Sequence, residues 1–254
     1  MRSGLRQVIV LLASVVLAAG AAGAGEVREE LTREVPTDPS EAAALANRDG
    51  GEVFQLRWRF SGFLGALASL FVPSRGDAAL TFVPGPEDRV NVQLVATAPK
   101  REGEYFVYGA EVDRISGATR AVWSSYQFRD KKQGREQSLE GSDVIDFASA
   151  IYRLRWNPPE KAVSMRIWHH GKTYPARIEP LGEEKRRIDG RKIQVRGYAV
   201  RGVKVKGEPF FEDRFFVYFA QDEHSMPVEI LGKRGWVKIR FQLVEPEPSQ
   251  RAAS

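Results

Sequence analysis

Phe54, Leu56, Trp58 and Phe60 alternate with Gln55, Arg57 and Arg59 along one short stretch of this chain. Successive side chains of a strand point to opposite faces, so a period of two buries one face and wets the other. The same rhythm returns through Val90–Leu94, through Val122, Tyr126 and Phe128, and through Val163, Met165 and Ile167. It returns again at Ile193 and Val195, and at Val237, Ile239, Phe241 and Leu243. Further strands fit Ala79–Val83, Glu104–Val112, Thr173–Ile178, Arg214–Ala220 and Pro227–Leu231. Turn residues separate them, among them Pro84-Gly85-Pro86, Asp189-Gly190 and Gly232-Lys233-Arg234-Gly235. Connections this short join antiparallel neighbours.

One segment breaks the rhythm. Val144, Phe147, Ala148 and Ile151 fall at helical spacing on one face. Ser142 is placed to cap that helix, Asp143 and Asp146 suit its first turn, and Arg153 and Arg155 suit its last. Asn157-Pro158-Pro159 ends it. A second helix over Phe63–Phe71 is weakened by Gly62 and Gly65. The expected architecture is mainly β: a single curved antiparallel sheet, or open β-barrel, of about ten strands wrapped around one central helix. No internal repeat is present.

The flanks read differently. Arg2 and Arg6 precede the apolar run Val8–Leu17, and small residues lead to Ala22-Gly23-Ala24, with no acid before Glu26. This is the pattern of a cleavable signal peptide over residues 1–24. The apolar run is shorter than the ~20 residues a spanning helix needs. The mature protein is therefore expected in the bacterial periplasm or outside the cell, with no transmembrane segment left. Residues 25–50, with Pro36 and Pro39, read as a flexible leader carrying a short helix over Glu41–Asn47. Residues 51–245 form the single β-rich domain, and 246–254 a disordered tail. The chain contains no cysteine. That excludes disulfides, thiolate metal sites, a cysteine nucleophile and the lipidated cysteine of a lipoprotein.

Catalytic patterns do not assemble. His169 and His170 are adjacent, so on a strand they face opposite ways and do not chelate one ion; His224 stands apart. Gly171-Lys172-Thr173 resembles the end of a phosphate-binding loop, but the glycine required five residues earlier is Arg166. No G-x-S-x-G, S-x-x-K or H-E-x-x-H is present. No metal, cofactor or enzymatic activity is expected.

Charge is uneven. The segment Lys185–Lys206 holds nine basic residues, including Lys192, Arg196, Lys204 and Lys206, against one acid, Asp189. Alternation places Lys192 with Arg196, and Lys204 with Lys206, on shared strand faces. A lysine-protected edge hairpin is the simpler reading. A polyanion-binding face is the sharper one, and outside the cytoplasm the polyanions are lipid phosphates and anionic glycans rather than nucleic acid. Aromatic residues supply the apolar side. Trp58 and Phe60 on a strand, with Phe147 and Ile151 on the helix, are the candidates for an apolar interior that leaves room for a ligand.

Asp146, Ser149, Tyr152 and Arg155 fall three apart along the helix, and Asp222, Pro227 and Val228 follow the late strand Phe216–Ala220. This order, over most of residues 53–244, resembles the domain-of-unknown-function-3108 (DUF3108) family of exported bacterial proteins. The resemblance implies an open antiparallel barrel like that of the periplasmic lipoprotein carriers, with a helix in its mouth. It implies no catalytic residues, and Asp146, Tyr152 and Arg155 would lock the helix to the sheet. Two functions follow as expectations: a binding protein for a lipid, acyl chain or anionic glycan, or a structural protein of the envelope that pairs with a protein partner through a sheet edge near Lys204.

Overall fold

A computed structural model describes residues 29–61, 74–97, 103–128, 131–139, 143–169, 171–235 and 237–244. The expected signal peptide, the tail, the weak helix over 63–71, Ser142 and His170 lie outside the described residues. Described in chain order are β1 (Glu29–Glu30), α1 (Pro39–Arg48), β2 (Glu52–Ser61), β3 (Arg75–Pro84), β4 (Arg89–Thr97), β5 (Tyr105–Asp113), β6 (Thr119–Phe128) and β7 (Lys131–Ser138). There follow β8 (Val144–Ile145), α2 (Phe147–Trp156), β9 (Val163–His169), β10 (Lys172–Ile188), β11 (Arg191–Gly202), β12 (Arg214–Ala220), β13 (Pro227–Arg234) and β14 (Val237–Leu243).

All fourteen described strands join one sheet, in the order β1-β7-β6-β5-β4-β3-β2-β14-β13-β12-β11-β10-β9-β8. Two antiparallel meanders make it up, β2–β7 and β9–β14. The β14–β2 pair, Phe241 opposite Trp58, stitches them together. Only β8 pairs parallel, with β9. The chain crosses from the far edge of one meander to the far edge of the other through α2, so the sheet curls until its two edges approach. Trp168 Nε1 on β9 donates to Gln137 Oε1 on β7 at 2.6 Å across that gap. The barrel stays open: among the described residues no backbone ladder joins the two edges.

The inward faces of both meanders and α2 share one core, including Leu56, Leu80, Val92, Ile151, Ile178, Val217 and Ile230. Helix α2 is buried nearly all round because Ala148, Ser149 and Ala150 are small enough to lie against the sheet. Its start corrects the sequence reading. Val144 and Ile145 belong to β8, and Asp146 is the N-cap rather than a first-turn residue. Asp146 Oδ1 accepts from Ser149 N at 2.7 Å and Ser149 Oγ accepts from Asp146 N at 2.8 Å. This reciprocal capping box satisfies two amides that nothing earlier in the chain reaches.

The leader also differs from expectation in its described part. Asp38 caps α1 by accepting from Ser40 N at 2.8 Å, and Pro39 occupies the first turn. Ala42, Ala43 and Ala46 are buried, and Ala42 joins Ala79, Val95, Val107 and Trp123 in a second core on the outer face of the first meander. Arg33 lies 3.8 Å above the Trp123 ring and donates to Glu136 at 2.8 Å. Three alanines and a covered tryptophan pack this stretch against the sheet.

Three strands carry no alternation and were not anticipated: β1, β7 and β8. Strand β7 reads KKQGREQS and buries neither face fully; its ladders to β6 and, over two residues, to β1 define it.

Candidate functional site

Helix α2 fills half of the interior. Toward its C-terminal end the barrel is solid: Tyr152 packs edge-on to Phe82 at 5.4 Å, and Ile151 is fully buried. Arg155 closes that end. Its guanidinium lies 5.1 Å from the Phe54 ring centre and 4.7 Å from that of Trp156, and donates to His224 O at 3.1 and 2.9 Å. It also meets Glu52 at 2.8 Å. Asp222 accepts from His224 N at 3.1 Å and so shapes the turn that presents this carbonyl. Pro227 then opens β13 opposite Phe219. The helix residues Asp146, Ser149, Tyr152 and Arg155 and the late turn Asp222–Pro227 thus meet through one arginine and one carbonyl.

Beyond the first turn of α2 the interior is hollow. A cavity of about 140 Å³ lies between Phe147 and the facing strands. Its wall is Trp58 and Phe60 of β2, Leu94 and Ala96 of β4, Phe106 and Tyr108 of β5, Trp168 of β9, Phe211 and Phe215, and Ile239 and Phe241 of β14. Phe147 packs on Phe215 at 4.8 Å and on Tyr108 at 5.8 Å, and Trp58 meets Phe60 edge-on at 5.6 Å. Trp58 lies flat against the sheet because Gly76 opposes it, where a Cβ would stand 1.9 Å from Thr97 O and 2.5 Å from Trp58 Nε1. Trp58 Nε1 donates to that same Thr97 O at 2.8 Å, so the indole's polar atom is satisfied away from the cavity. Three of the four apolar residues proposed from sequence, Trp58, Phe60 and Phe147, line this space; Ile151 belongs to the solid half.

Polar groups gather at the opening: His169, Asp213, Arg214, Lys233 and Arg234. Asp213 Oδ1 is buried without a hydrogen-bond partner among the described residues, 3.5 Å from Arg234 Nε. His169 Nε2 lies 3.9 Å from Asp213 Oδ2. Burial pushes the Asp213 carboxyl up to about 6, against the pull of Arg234 and with the push of Glu212. Burial likewise raises Asp146 to about 6 although Ser149 donates to it. Tyr108 is raised by burial and then by the charges of Asp213 and Asp146, so the two carboxyls flank it. Among the described residues the lining holds no serine, threonine or cysteine. No group of three or more His, Asp or Glu side chains is arranged among the described residues to hold a metal ion.

The basic residues proposed as one face are dispersed. Lys192 and Arg196 lie on β11, toward its turn with β10, at the plugged end of the sheet. Arg196 faces Glu183 at 3.4 Å, Arg201 Glu179 at 2.5 Å, and Arg186 the buried Glu229 at 2.8 Å, with Arg240 3.1 Å from the same carboxylate. Glutamates of β10 and β13, outside the segment counted from sequence, pair with three of its nine basic residues, Arg186, Arg196 and Arg201. Lys204 and Lys206 share no strand face: β11 ends at Gly202, where Phe211 O folds so close that a Cβ would stand 2.1 Å from it. Both β10 and β11 lie within the sheet order, but β9 pairs with β10 only as far as Ile178 and β12 with β11 only from Val195, so among the described residues the far half of the hairpin, with Lys185 and Lys192, is an edge.

No protein-family profile matches the chain, and no curated protein does. The DUF3108 resemblance has no support from a family match. Among solved structures, the chain is similar to a β-barrel-like protein of the domain of unknown function DUF1849 from Brucella abortus, at 11% identity and a TM-score of 0.32, over 76% of this chain and 94% of that one. It is also similar to lipoprotein LppX of Mycobacterium tuberculosis, at 15% identity and 0.27 over 82% and 94%, and to LprF of Mycobacterium bovis, at 11% identity and 0.29 over 82% and 93%. Scores this low carry no argument about function.

Proposed function

We propose that this protein is an exported, non-enzymatic binding protein of the bacterial envelope that holds the apolar part of a lipid or acyl chain in its barrel. One observation carries the reading: the interior is plugged by Arg155 at one end and left as an open aromatic cavity at the other. Packed interiors rarely leave voids larger than a water molecule, and a void lined by apolar side chains stays dry until an apolar group enters it. A dry cavity of roughly 150 Å³ accepts a benzene-sized group, so the volume here suits a short length of one chain. The rim groups Arg234, His169 and Asp213 supply hydrogen bonds to a polar head left outside. The sheet-edge alternative centres on Lys204, which lies on the loop after β11 rather than on a strand.

The test is titration with a fluorescent fatty acid, paired with native mass spectrometry of protein purified from a bacterial membrane background. Binding is expected, and Ala96→Leu, which grows a side chain into the cavity, is expected to weaken it about tenfold through lost volume. Ligand-free spectra together with no binding of the fatty acid would sink the reading.

A further inference from the structure

The open end of the barrel carries a loop with exposed apolar side chains and two lysines. Segment 203–213 connects β11 to β12 beside the cavity. Val203, Val205 and Phe210 on it are 36%, 43% and 41% exposed, while Phe211 turns inward and lines the cavity. Large apolar side chains clustered on one loop are an unusual thing to leave in water, and they mark an interaction surface.

The charges on the loop are sorted. Its acids are engaged with the body of the protein: Glu208 meets Arg166 at 2.8 Å and Glu212 meets Arg234 at 3.9 Å. Lys204 and Lys206 pair with no carboxylate among the described residues, and Lys204 Nζ lies 5.4 Å from the Phe210 ring centre. Turn charges of the first meander at the plugged end are matched, Glu87 with Arg89, Asp88 with Arg114 and Asp113 with Arg120, while Lys185 and Lys192 near the β10–β11 turn are exposed. Unpaired ammonium groups interleaved with exposed valine and phenylalanine are the signature of a segment that seats at a lipid–water boundary. The apolar groups enter the acyl layer and the lysines meet lipid phosphates.

We infer that the loop Val203–Asp213 docks the open end of the barrel onto an anionic membrane surface. Docking by Phe210 sets its neighbour Phe211, and the cavity behind it, against the bilayer, so that a chain passes between the two without crossing water. The use of the surface rests on the carrier reading; its existence does not.

Co-sedimentation with phosphatidylcholine vesicles, with and without phosphatidylglycerol, tests it on the full chain. Binding is expected only with phosphatidylglycerol, weakening as salt rises. Phe210→Ser and the double variant Lys204→Glu/Lys206→Glu are each expected to lower vesicle affinity about tenfold or more. Lys192→Glu, at the plugged end, is expected to leave it unchanged. The two loop variants alter exposed side chains, and their binding of the fluorescent fatty acid in solution is expected to match the parent chain. Absent vesicle binding, binding indifferent to the loop variants, or an equal loss with Lys192→Glu overturns the docking surface. Vesicle binding with no uptake of fatty acid leaves the docking surface standing and removes the carrier reading.

Discussion

Both ends of this barrel are built from aromatic side chains around one short helix, yet one end is solid and the other hollow. At the solid end Phe54, Phe82, Tyr152 and Trp156 surround a guanidinium whose Nε and Nη2 bind a backbone carbonyl and a glutamate. At the hollow end Phe147, Phe215, Phe60 and Phe241 meet with no such centrepiece. Rings are rigid and pack edge to face, so a ring cluster leaves gaps unless something flexible enters them. The methylene stem of Arg155 does this, and its head is held by partners at the rim of the core. A plug and a cavity therefore differ by what one long side chain does.

The largest way to break this comparison is to hollow the solid end. Ile151→Ala is expected to lower stability by about 3 kcal/mol, because the residue is fully buried and its surroundings are packed. Phe147→Ala, one helical turn nearer the opening, is expected to cost about 1 kcal/mol, since one side of its ring already faces empty space. Equilibrium urea unfolding measures both, and equal losses would contradict the division into filled and hollow halves.

Next in size is the plug. Arg155→Met keeps the stem and removes the bonds to His224 O and Glu52, with an expected loss of about 2 kcal/mol. Amide exchange in the turn 221–226 should speed up with it. Unaltered exchange there would mean that the turn does not depend on the arginine.

The smallest effect sharpens the electrostatics of the opening. Burial raises Asp213 from an ordinary 3.8 to about 6, so the folded chain binds its proton more tightly than the unfolded chain. Stability linked to this group is fully present below about pH 4 and is lost as pH rises through about 6. Asp213→Asn is expected to stabilise the protein at neutral pH by about 1–2 kcal/mol. It should also flatten the fall between pH 4 and 6, leaving the part due to Asp146, which has the same sign. Thermal melts across that range check it; an unchanged slope removes Asp213 as a source.

Much of this molecule is legible as period. Trp58 and Phe60 announce their inward face by alternation, and Phe147 and Ile151 announce theirs by helical spacing. What alternation cannot register is a strand polar on both faces, so β7 is silent although its ladder to β6 is complete. The helix start was misread because Asp143 and Asp146 both suit a first turn. Only the reciprocal bonds of Asp146 and Ser149 decide between them. Asp213 and Phe211 lie on an irregular segment with no period at all, and their burial is a tertiary fact. The basic segment looked uniform because its partners Glu179, Glu183 and Glu229 lie outside it in sequence and opposite it across the sheet.

The seam between β7 and β9 has a consequence for what the barrel can contain. A closed barrel has its bore fixed by strand number and stagger. Here the circumference is completed by side chains such as Trp168 and Gln137 rather than by a backbone ladder. Widening the bore at that seam breaks no backbone ladder among the described residues. The bore of this barrel is therefore not set by strand number and stagger alone.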